Sequence, residues 1–280
     1  MSQAEDLDGS AAPLIEHLKE LRTRIMWSIA SYIVAFFVCY ILWTYVFAFL
    51  SRPMCNALAD RHQDCTFFLI KVQEGFFVTL KIAMWGGFVL AFPVISFQLW
   101  RFIAPGLYRN EKGAFLPFLI ASPVMFTLGA AFAYLVVLPF AFSFFLSFQD
   151  SFKIAMQSAN SLAEVPKGVV FQGSVEAFFA LTMQFLLAFG LCFQLPVLLT
   201  LMGRAGLIGS KGLKATRKYA VVGIMILSSM IAPPDVTSMV ILFATIYPLY
   251  EVSIWIIVRF ERQREAAARA DGTWVDEDEE

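Results

Sequence analysis

The chain has 280 residues, of which 59% are hydrophobic and only 15% are charged. Soluble domains carry about 25% charged residues, so this composition is typical of a protein embedded in a lipid bilayer. The formal net charge is −1 and the basic residues form no continuous stripe, which gives no reason to expect binding to nucleic acid. The first residues are acidic and polar, unlike a cleavable secretory signal, so we expect the first apolar segment to be retained.

Residues 1–24 are predicted to form a cytoplasmic segment that contains an interfacial amphipathic helix. Its apolar stripe consists of Leu14, Ile15, Leu18, Leu21 and Ile25. The opposite face is charged. There Glu20 has a simple interpretation as an ion-pair partner of Arg24, one helical turn further along.

Four apolar segments of full or excess length follow this helix. We predict membrane spans at about Ile25–Val46, Phe76–Trp100, Ala114–Phe145 and Ala177–Met202. The third carries Pro117, Pro123 and Pro139. We expect it to be long, tilted or kinked, because proline removes a backbone hydrogen bond.

The last two apolar segments, Tyr219–Ala232 and Val236–Tyr250, are short and are separated only by Pro233, Pro234 and Asp235. Each reaches about 21 to 23 Å as a helix, against a hydrocarbon core of roughly 30 Å. The predicted fold is therefore all-α, a polytopic domain of six transmembrane helices over residues 25–258 whose last two helices are short. Residues 259–280 end in an acidic stretch and are predicted to be a disordered cytoplasmic tail.

The distribution of lysine and arginine predicts the orientation. The N-terminal segment, the second loop, the fourth loop and the tail together hold 15 of these residues, and the other side holds six. Because basic residues are enriched on the cytoplasmic side, we expect both termini there.

The four cysteines fall into two groups. Cys39 and Cys192 lie inside apolar spans and are interpreted as packing residues. Cys55 and Cys65 lie in the first external loop, where thiols can oxidise, and the sequence leaves open whether they form a disulfide. Only His62 lies near them, so the spacing does not indicate a zinc site.

The spans lack the residues that catalysis or ion coupling requires. No ionisable residue falls at mid-depth, both histidines lie outside the spans, and no phosphate-binding loop is present, so we expect no enzyme activity and no cofactor or metal. Gln194 is the most polar deep residue. A buried glutamine more often joins helices than forms a transport site, but with the short hairpin it leaves a self-contained small-solute secondary transporter as the alternative.

Two carboxylates on the cytoplasmic side have apolar residues beside them. Glu20 lies in HLKELRTR, and Glu111 follows Asn110 in the second loop, FIAPGLYRNEK. Capping of the third span is the simple interpretation of Asn110 and Glu111. The pair would also suit a ligand that carries arginines next to an apolar segment.

Several motifs resemble the TatC family of the twin-arginine protein translocase, and the resemblance covers nearly all of residues 13 to 262. They are HLKELRTR, QLWRFIAPGLYRNEK, FGLCFQLPV and the APPDV turn before the last segment. The resemblance implies a concave six-helix bundle that acts as a membrane receptor for signal peptides with paired arginines. It also implies further copies of the chain and single-span TatA- and TatB-type subunits as partners, with which folded cargo proteins are exported on the proton-motive force.

The resemblance also implies residue roles. Glu20 and Glu111 would hold the arginine pair. The surrounding site would be shaped by Arg22, Phe102, Pro105, Leu107 and Tyr108. Pro53 falls at a family position linked to function. Gln194 stands where many relatives place a glutamate, so a role that requires charge is in doubt there and a hydrogen-bonding role survives. The polar residues available for partner docking are Ser228, Ser229, Asp235, Thr237 and Ser238.

Overall fold

The structure is a computed structural model that describes residues 3–107, 116–159, 173–231 and 236–270. Within these residues the chain is almost entirely helical. The helices in chain order are α1 (Gln3–Ile41), α2 (Trp43–Ala59), α3 (Glu74–Leu107), α4 (Leu116–Phe132), a π-helical turn (Ala133–Val137), α5 (Leu138–Ala159), α6 (Val175–Cys192), α7 (Leu195–Arg204), α8 (Ser210–Ala215), α9 (Arg217–Ile231) and α10 (Val236–Ala270). Two short strands, β1 (Phe67–Phe68) and β2 (Gly173–Ser174), pair in parallel.

Five helical segments in the described part of the chain are long and apolar enough to cross a membrane. They are His17–Ile41, Glu74–Phe102, Pro117–Phe148, Val175–Arg204 and Val236–Ala266. The prediction of an all-α multi-pass membrane protein is therefore confirmed. Helix α9 is short, with 15 residues, as expected for the fifth span. That it crosses the bilayer as one of six spans stays a prediction.

The first span differs from its predicted bounds. The interfacial segment and the span form one continuous helix, α1, which ends at Ile41. After a single break at Leu42 the chain continues as α2, where we had expected an external loop. Pro53 thus lies inside a helix and is buried. Helix α2 was not predicted because its apolar run, residues 45–50, follows the first span directly, and its residues from Ser51 onward mix polar and apolar side chains as a loop does.

The third and fourth spans are both interrupted. In the third, the π-helical turn ends two residues before Pro139, which has no N–H to continue the regular ladder. In the fourth, α6 ends at Cys192 and α7 begins at Leu195, followed by Pro196. The fourth span is therefore two helices rather than the single helix predicted from Ala177 to Met202.

The last helix is longer than its apolar segment. Helix α10 has 35 residues and continues past Tyr250 to Ala270, so residues 259–270, which we expected to be disordered, are helical. Glu251 does not end the helix, because its carboxylate pairs with Arg217 at 2.7 Å and accepts a hydrogen bond from Tyr247 at 3.0 Å. Residues 271–280 lie outside the described residues.

The chain divides into two compact units. The first comprises Met1–Pro123 and Tyr134–Met183, and the second comprises Val124–Ala133 and Gln184–Glu280. The first unit holds the contact between α1 and α3 that builds the candidate site. The second holds α7 to α10, where the Tyr250 hydroxyl donates to the Leu213 carbonyl and Glu261 accepts from the Ser210 N–H.

A buried carboxylate joins two connections of the first unit. Glu74, at the start of α3, is only 2% exposed. Its oxygens accept hydrogen bonds from the Ile70 N–H (2.6 Å), the Lys71 N–H (3.1 Å), the Ser174 hydroxyl (3.0 Å) and the Glu176 N–H (2.9 Å). Because a buried charge is costly without such donors, these contacts hold the residues before α3 against those that begin α6.

Candidate functional site

Close packing of α1 against α3 sets the position of the candidate site. The two helices run in opposite directions, with the Tyr32 hydroxyl donating to the Met84 carbonyl at 3.2 Å. At Gly87 the backbones approach so closely that an added Cβ would lie 2.8 Å from the Cα of Phe36. This packing places the charged part of α1 around Glu20 and Arg24 beside the last turns of α3, the helix that precedes the second loop.

Glu20 and Arg24 form an ion pair near the middle of α1, beside the last turns of α3. The Arg24 Nη2 atom lies 2.9 Å from Oε1 of Glu20. The Arg24 Nη1 atom donates to Oε1 of Gln98, on α3, at 3.2 Å. The structure therefore contains the Glu20–Arg24 ion pair that the simple interpretation predicts. An amide from a second helix contacts the same guanidinium.

The two side chains of this pair differ in exposure. Glu20 keeps 35% of its side-chain surface accessible, and Arg24 only 19%. The carboxylate is thus reachable from outside, whereas the guanidinium is partly buried between two helices. A half-buried but accessible carboxylate next to a partly dehydrated surface is suited to accept a further cationic group.

An aromatic surface lies one turn from Glu20. The ring of His17 stacks on Phe102, with ring centroids 4.4 Å apart and planes inclined by 19°. His17 and Glu20 are three residues apart on α1 and so lie on neighbouring positions of one helix face. The structure therefore brings Glu20 and Phe102, two of the predicted site residues, to the same end of the α1–α3 pair.

The remaining predicted residues of this site are described only in part. Arg22 is exposed on α1. Pro105 and Leu107 belong to the last turns of α3, and only their backbone is described. Tyr108 and Glu111 lie outside the described residues. The role of Glu111 as a second carboxylate therefore stays a prediction.

Sequence reasoning missed Gln98. It lies four residues before Phe102, so both occupy one face of α3. A polar residue on the face that also carries a predicted site residue was a usable signal. It was passed over because Gln98 falls inside an apolar span, where a single amide is most simply a packing or interhelical contact.

Gln194 lies at the break between α6 and α7 in the second unit. Its N–H donates to the Leu191 carbonyl and its own carbonyl accepts from the Leu198 N–H, both at 2.9 Å. The side chain is half-buried and engaged in contacts. This position makes Gln194 part of a helix junction and leaves its predicted hydrogen-bonding role as a prediction.

The predicted partner-docking residues lie at the α9–α10 end of the second unit. The Ser228 side chain is fully buried, and its hydroxyl has no hydrogen-bond partner among the described residues. The hydroxyl of the exposed Ser229 donates to the Ile226 carbonyl at 2.8 Å. Ser238 is buried and Thr237 half-buried, both on α10, whereas Asp235 lies outside the described residues. The docking role of this set stays a prediction.

A disulfide joins the end of α2 to the following loop. The Sγ atoms of Cys55 and Cys65 lie 1.98 Å apart, whereas Cys39 and Cys192 are free and buried. Arg61 lies between the two cysteines in the chain and donates to the Ser143 carbonyl of α5 at 2.8 Å. No cluster of three or more histidine, cysteine or acidic residues that could hold a metal is found in the described ranges.

Comparison with known proteins identifies the family. Residues 16–244 match the TatC family, described as Sec-independent protein translocase protein. A Sec-independent protein translocase protein TatC of Magnetococcus marinus is 37% identical over 265 residues, which cover 94% of this chain and 91% of the relative. The TatC protein of Helicobacter pylori strain J99 is 37% identical and covers 86% of each chain. That of Escherichia coli O6:H1 is 32% identical and covers 87% of each.

A solved structure shows the same fold. A crystal structure described as the twin arginine translocase receptor TatC superposes with a TM-score of 0.69 at 34% identity, covering 86% of this chain and 98% of the other. The helical structure and its apolar spans are consistent with these matches. The chain is a multi-pass membrane protein that belongs to the TatC family, a component of the Sec-independent protein translocase and not an enzyme.

Proposed function

We propose that this chain is the membrane receptor that binds twin-arginine signal peptides of folded cargo proteins. Family membership supports this, as does the printed description of the similar crystal structure as a receptor. The observation that carries the proposal is the Glu20 carboxylate, which is accessible and already accepts an arginine side chain at 2.9 Å. Glu20 binds one arginine of the signal peptide, and Glu111 binds the other.

Arginine is preferred over lysine for a geometric reason. A guanidinium presents a planar fork that can contact both oxygens of one carboxylate, whereas an ammonium is a point charge. Hydrogen bonds to charged groups are worth about 1.5 to 3 kcal/mol each, so the second contact makes arginine bind more tightly than lysine. Two carboxylates that each bind a guanidinium therefore select a pair of arginines.

The apolar segment that follows the arginine pair requires an apolar surface. Phe102 supplies aromatic surface where it stacks on His17, which lies one helical turn from Glu20. Pro105, Leu107 and Tyr108 continue the chain from that point and shape the rest of the site together with Arg22. Binding thus combines charge recognition with burial of the apolar segment, which stabilises the complex by about 25 cal/mol for each Å² of apolar surface removed from water.

Transport is proposed to be a multi-chain event in a bacterial inner membrane, with both termini of this chain cytoplasmic. Single-span TatA- and TatB-type subunits dock on polar residues of the α9–α10 end, and further copies of the chain join the complex. The proton-motive force is proposed to supply the energy, as the resemblance to the TatC family implies.

Site-directed photocrosslinking tests the receptor proposal. A signal peptide with a photoreactive residue beside its arginine pair is expected to crosslink to the parent chain, and much less to Glu20→Ala or Glu111→Ala. Glu265→Ala is the matched control, because Glu265 is an exposed acid on the cytoplasmic extension of α10, outside the proposed site. Equal crosslinking of the parent and both site variants, or of a peptide with paired lysines, contradicts the proposal.

A further inference from the structure

The Glu20 carboxylate is occupied by a residue of the chain itself. Arg24 reaches it from one turn along α1, and Gln98 reaches the same guanidinium from α3. A signal-peptide arginine that binds Glu20 must therefore share the carboxylate with Arg24 or replace it. The chain itself therefore supplies a competitor for the proposed ligand.

The contact between Arg24 and Glu20 is incomplete. The two terminal nitrogens of Arg24 go to different acceptors, Nη2 to Glu20 and Nη1 to Gln98, so the carboxylate receives a single hydrogen bond from this guanidinium. The Nε atom is buried without a hydrogen-bond partner among the described residues. A guanidinium that contacts both carboxylate oxygens makes a stronger interaction than this one. Arg24 thus binds Glu20 through one hydrogen bond, and an arginine that makes two can displace it.

Helix stabilisation alone does not account for this arrangement. An i,i+4 Glu–Arg pair on an isolated helix needs no third residue, and both side chains are then largely solvated. Here the guanidinium is 19% exposed and lies against a second helix, whose Gln98 amide oxygen accepts one of its protons. When Arg24 leaves Glu20, its guanidinium keeps a hydrogen-bond acceptor in the Gln98 amide.

We propose that Arg24 occupies Glu20 in the empty receptor, that an incoming arginine displaces it, and that Gln98 retains Arg24 after displacement. This inference rests on the proposed function. Arg24 and Gln98 are then specificity-determining residues of the site. A lysine makes a single point contact no better than that of Arg24 and competes poorly, whereas an arginine that contacts both oxygens competes well.

A double-mutant cycle tests the inference. Full-length chain is assayed in membrane vesicles that contain its single-span partner subunits, and the peptide concentration for half-maximal crosslinking is measured for the parent, Glu20→Gln, Arg24→Gln and the double variant. We expect Arg24→Gln to bind a twin-arginine peptide about twofold more tightly, the range set by i,i+4 ion pairs. The gain should vanish in the Glu20→Gln background.

Two controls separate displacement from other effects. Lys19 is exposed and precedes Glu20 in the chain. Lys19→Gln therefore removes the same charge as Arg24→Gln, and it reports how a change in local charge alone alters the affinity for a cationic peptide. Arg24→Lys keeps the charge but lowers the number of donors, and should restore binding toward the parent value. Thermal unfolding of each variant in detergent shows whether the fold is retained.

The outcomes distinguish the inference from the function on which it rests. If Glu20→Gln binds like the parent, or the parent shows no specific crosslink, the proposed site is wrong and the inference fails with it. If Glu20→Gln weakens binding but Arg24→Gln does not tighten it, only the inference is wrong. The inference is also overturned if Lys19→Gln tightens binding equally, or if the gain persists without Glu20.

Discussion

A glycine determines how closely the two helices of the candidate site approach. An added Cβ at Gly87 would meet the backbone of Phe36 at 2.8 Å from Cα and 2.9 Å from N, and backbone atoms cannot rotate away. The same approach brings Arg24 within hydrogen-bond distance of Gln98. The separation of α1 and α3 is therefore set by the absence of one methyl group.

Gly87→Ala should destabilise the protein. Alanine favours a helix over glycine by up to about 1 kcal/mol, but the enforced shift of α1 costs typically 1 to 3 kcal/mol. Gly223→Ala is the matched control, since Gly223 also lies in a helix and has no neighbour within 4 Å of an added Cβ. Thermal unfolding in detergent should show a lower midpoint for Gly87→Ala and an unchanged or higher midpoint for Gly223→Ala. Equal shifts in the same direction would contradict a steric cause.

At the residue scale, sequence reasoning found part of the candidate site. The resemblance named Glu20 and Phe102, and the structure places both at one end of the α1–α3 contact, while their binding roles stay predictions. Gln98 was missed, since its contact with Arg24 joins residues 74 positions apart. Spacing along one helix cannot predict which residue of another helix it meets.

At the element scale, local chemistry indicates where a helix can break but does not decide whether it does. Pro139 and Pro196 lie at interruptions, whereas Pro123 and Pro248, which equally lack a backbone donor, lie inside continuous helices. Helix α2 was not predicted, because its mixed polar and apolar residues indicate a loop as readily as a one-sided helix. Its buried face, which includes Leu50, Met54 and Leu58, is recognised only when there is a surface to bury it against.

The Cys55–Cys65 disulfide should stabilise the connection after α2. Closing a loop of this length lowers the entropy of the unfolded chain, which is worth about 2 to 3 kcal/mol. We therefore expect Cys55→Ser/Cys65→Ser to unfold at a lower temperature than the parent, and a reductant to lower the midpoint of the parent but not of the variant.

Counting free thiols in the unfolded chain checks the bond directly. Maleimide labelling after denaturation should modify two cysteines, Cys39 and Cys192, before reduction and all four afterwards. Four labelled cysteines without reductant, in protein purified from an oxidising compartment, would show that the bond does not form there.

At the scale of the whole molecule, the short helix α9 determines the orientation of everything after it. Its 15 residues reach about 22 Å, less than the roughly 30 Å of a hydrocarbon core. It crosses only if the bilayer thins or partner helices shield its ends. If it crosses, α10 returns the chain to the side of the basic loop that holds Lys211 and Lys214; if it does not, the C-terminus lies opposite.

Fluorescent-protein fusions decide between these topologies, because the reporter fluoresces only when it folds in the cytoplasm. Fusions after Gly209 and after Glu280 should both fluoresce, since basic residues mark both regions as cytoplasmic. A fusion after Gln63, in the predicted external loop, serves as the dark control. A bright Gly209 fusion with a dark Glu280 fusion would show that α9 and α10 do not both cross.

Sequence alone determined the membrane class, the all-α fold, the family resemblance and the charged ends of the spans. These follow from hydropathy over about 20 residues, from lysine and arginine counts and from contiguous motifs, all of which are local properties of the chain. Tertiary structure alone decided that Arg24 is shared between Glu20 and Gln98, that His17 stacks on Phe102, and that Pro53 is buried in a helix. Those contacts depend on how segments distant in the chain pack together. That packing is determined by the close approach at Gly87 and by surfaces that form only when two or more segments meet.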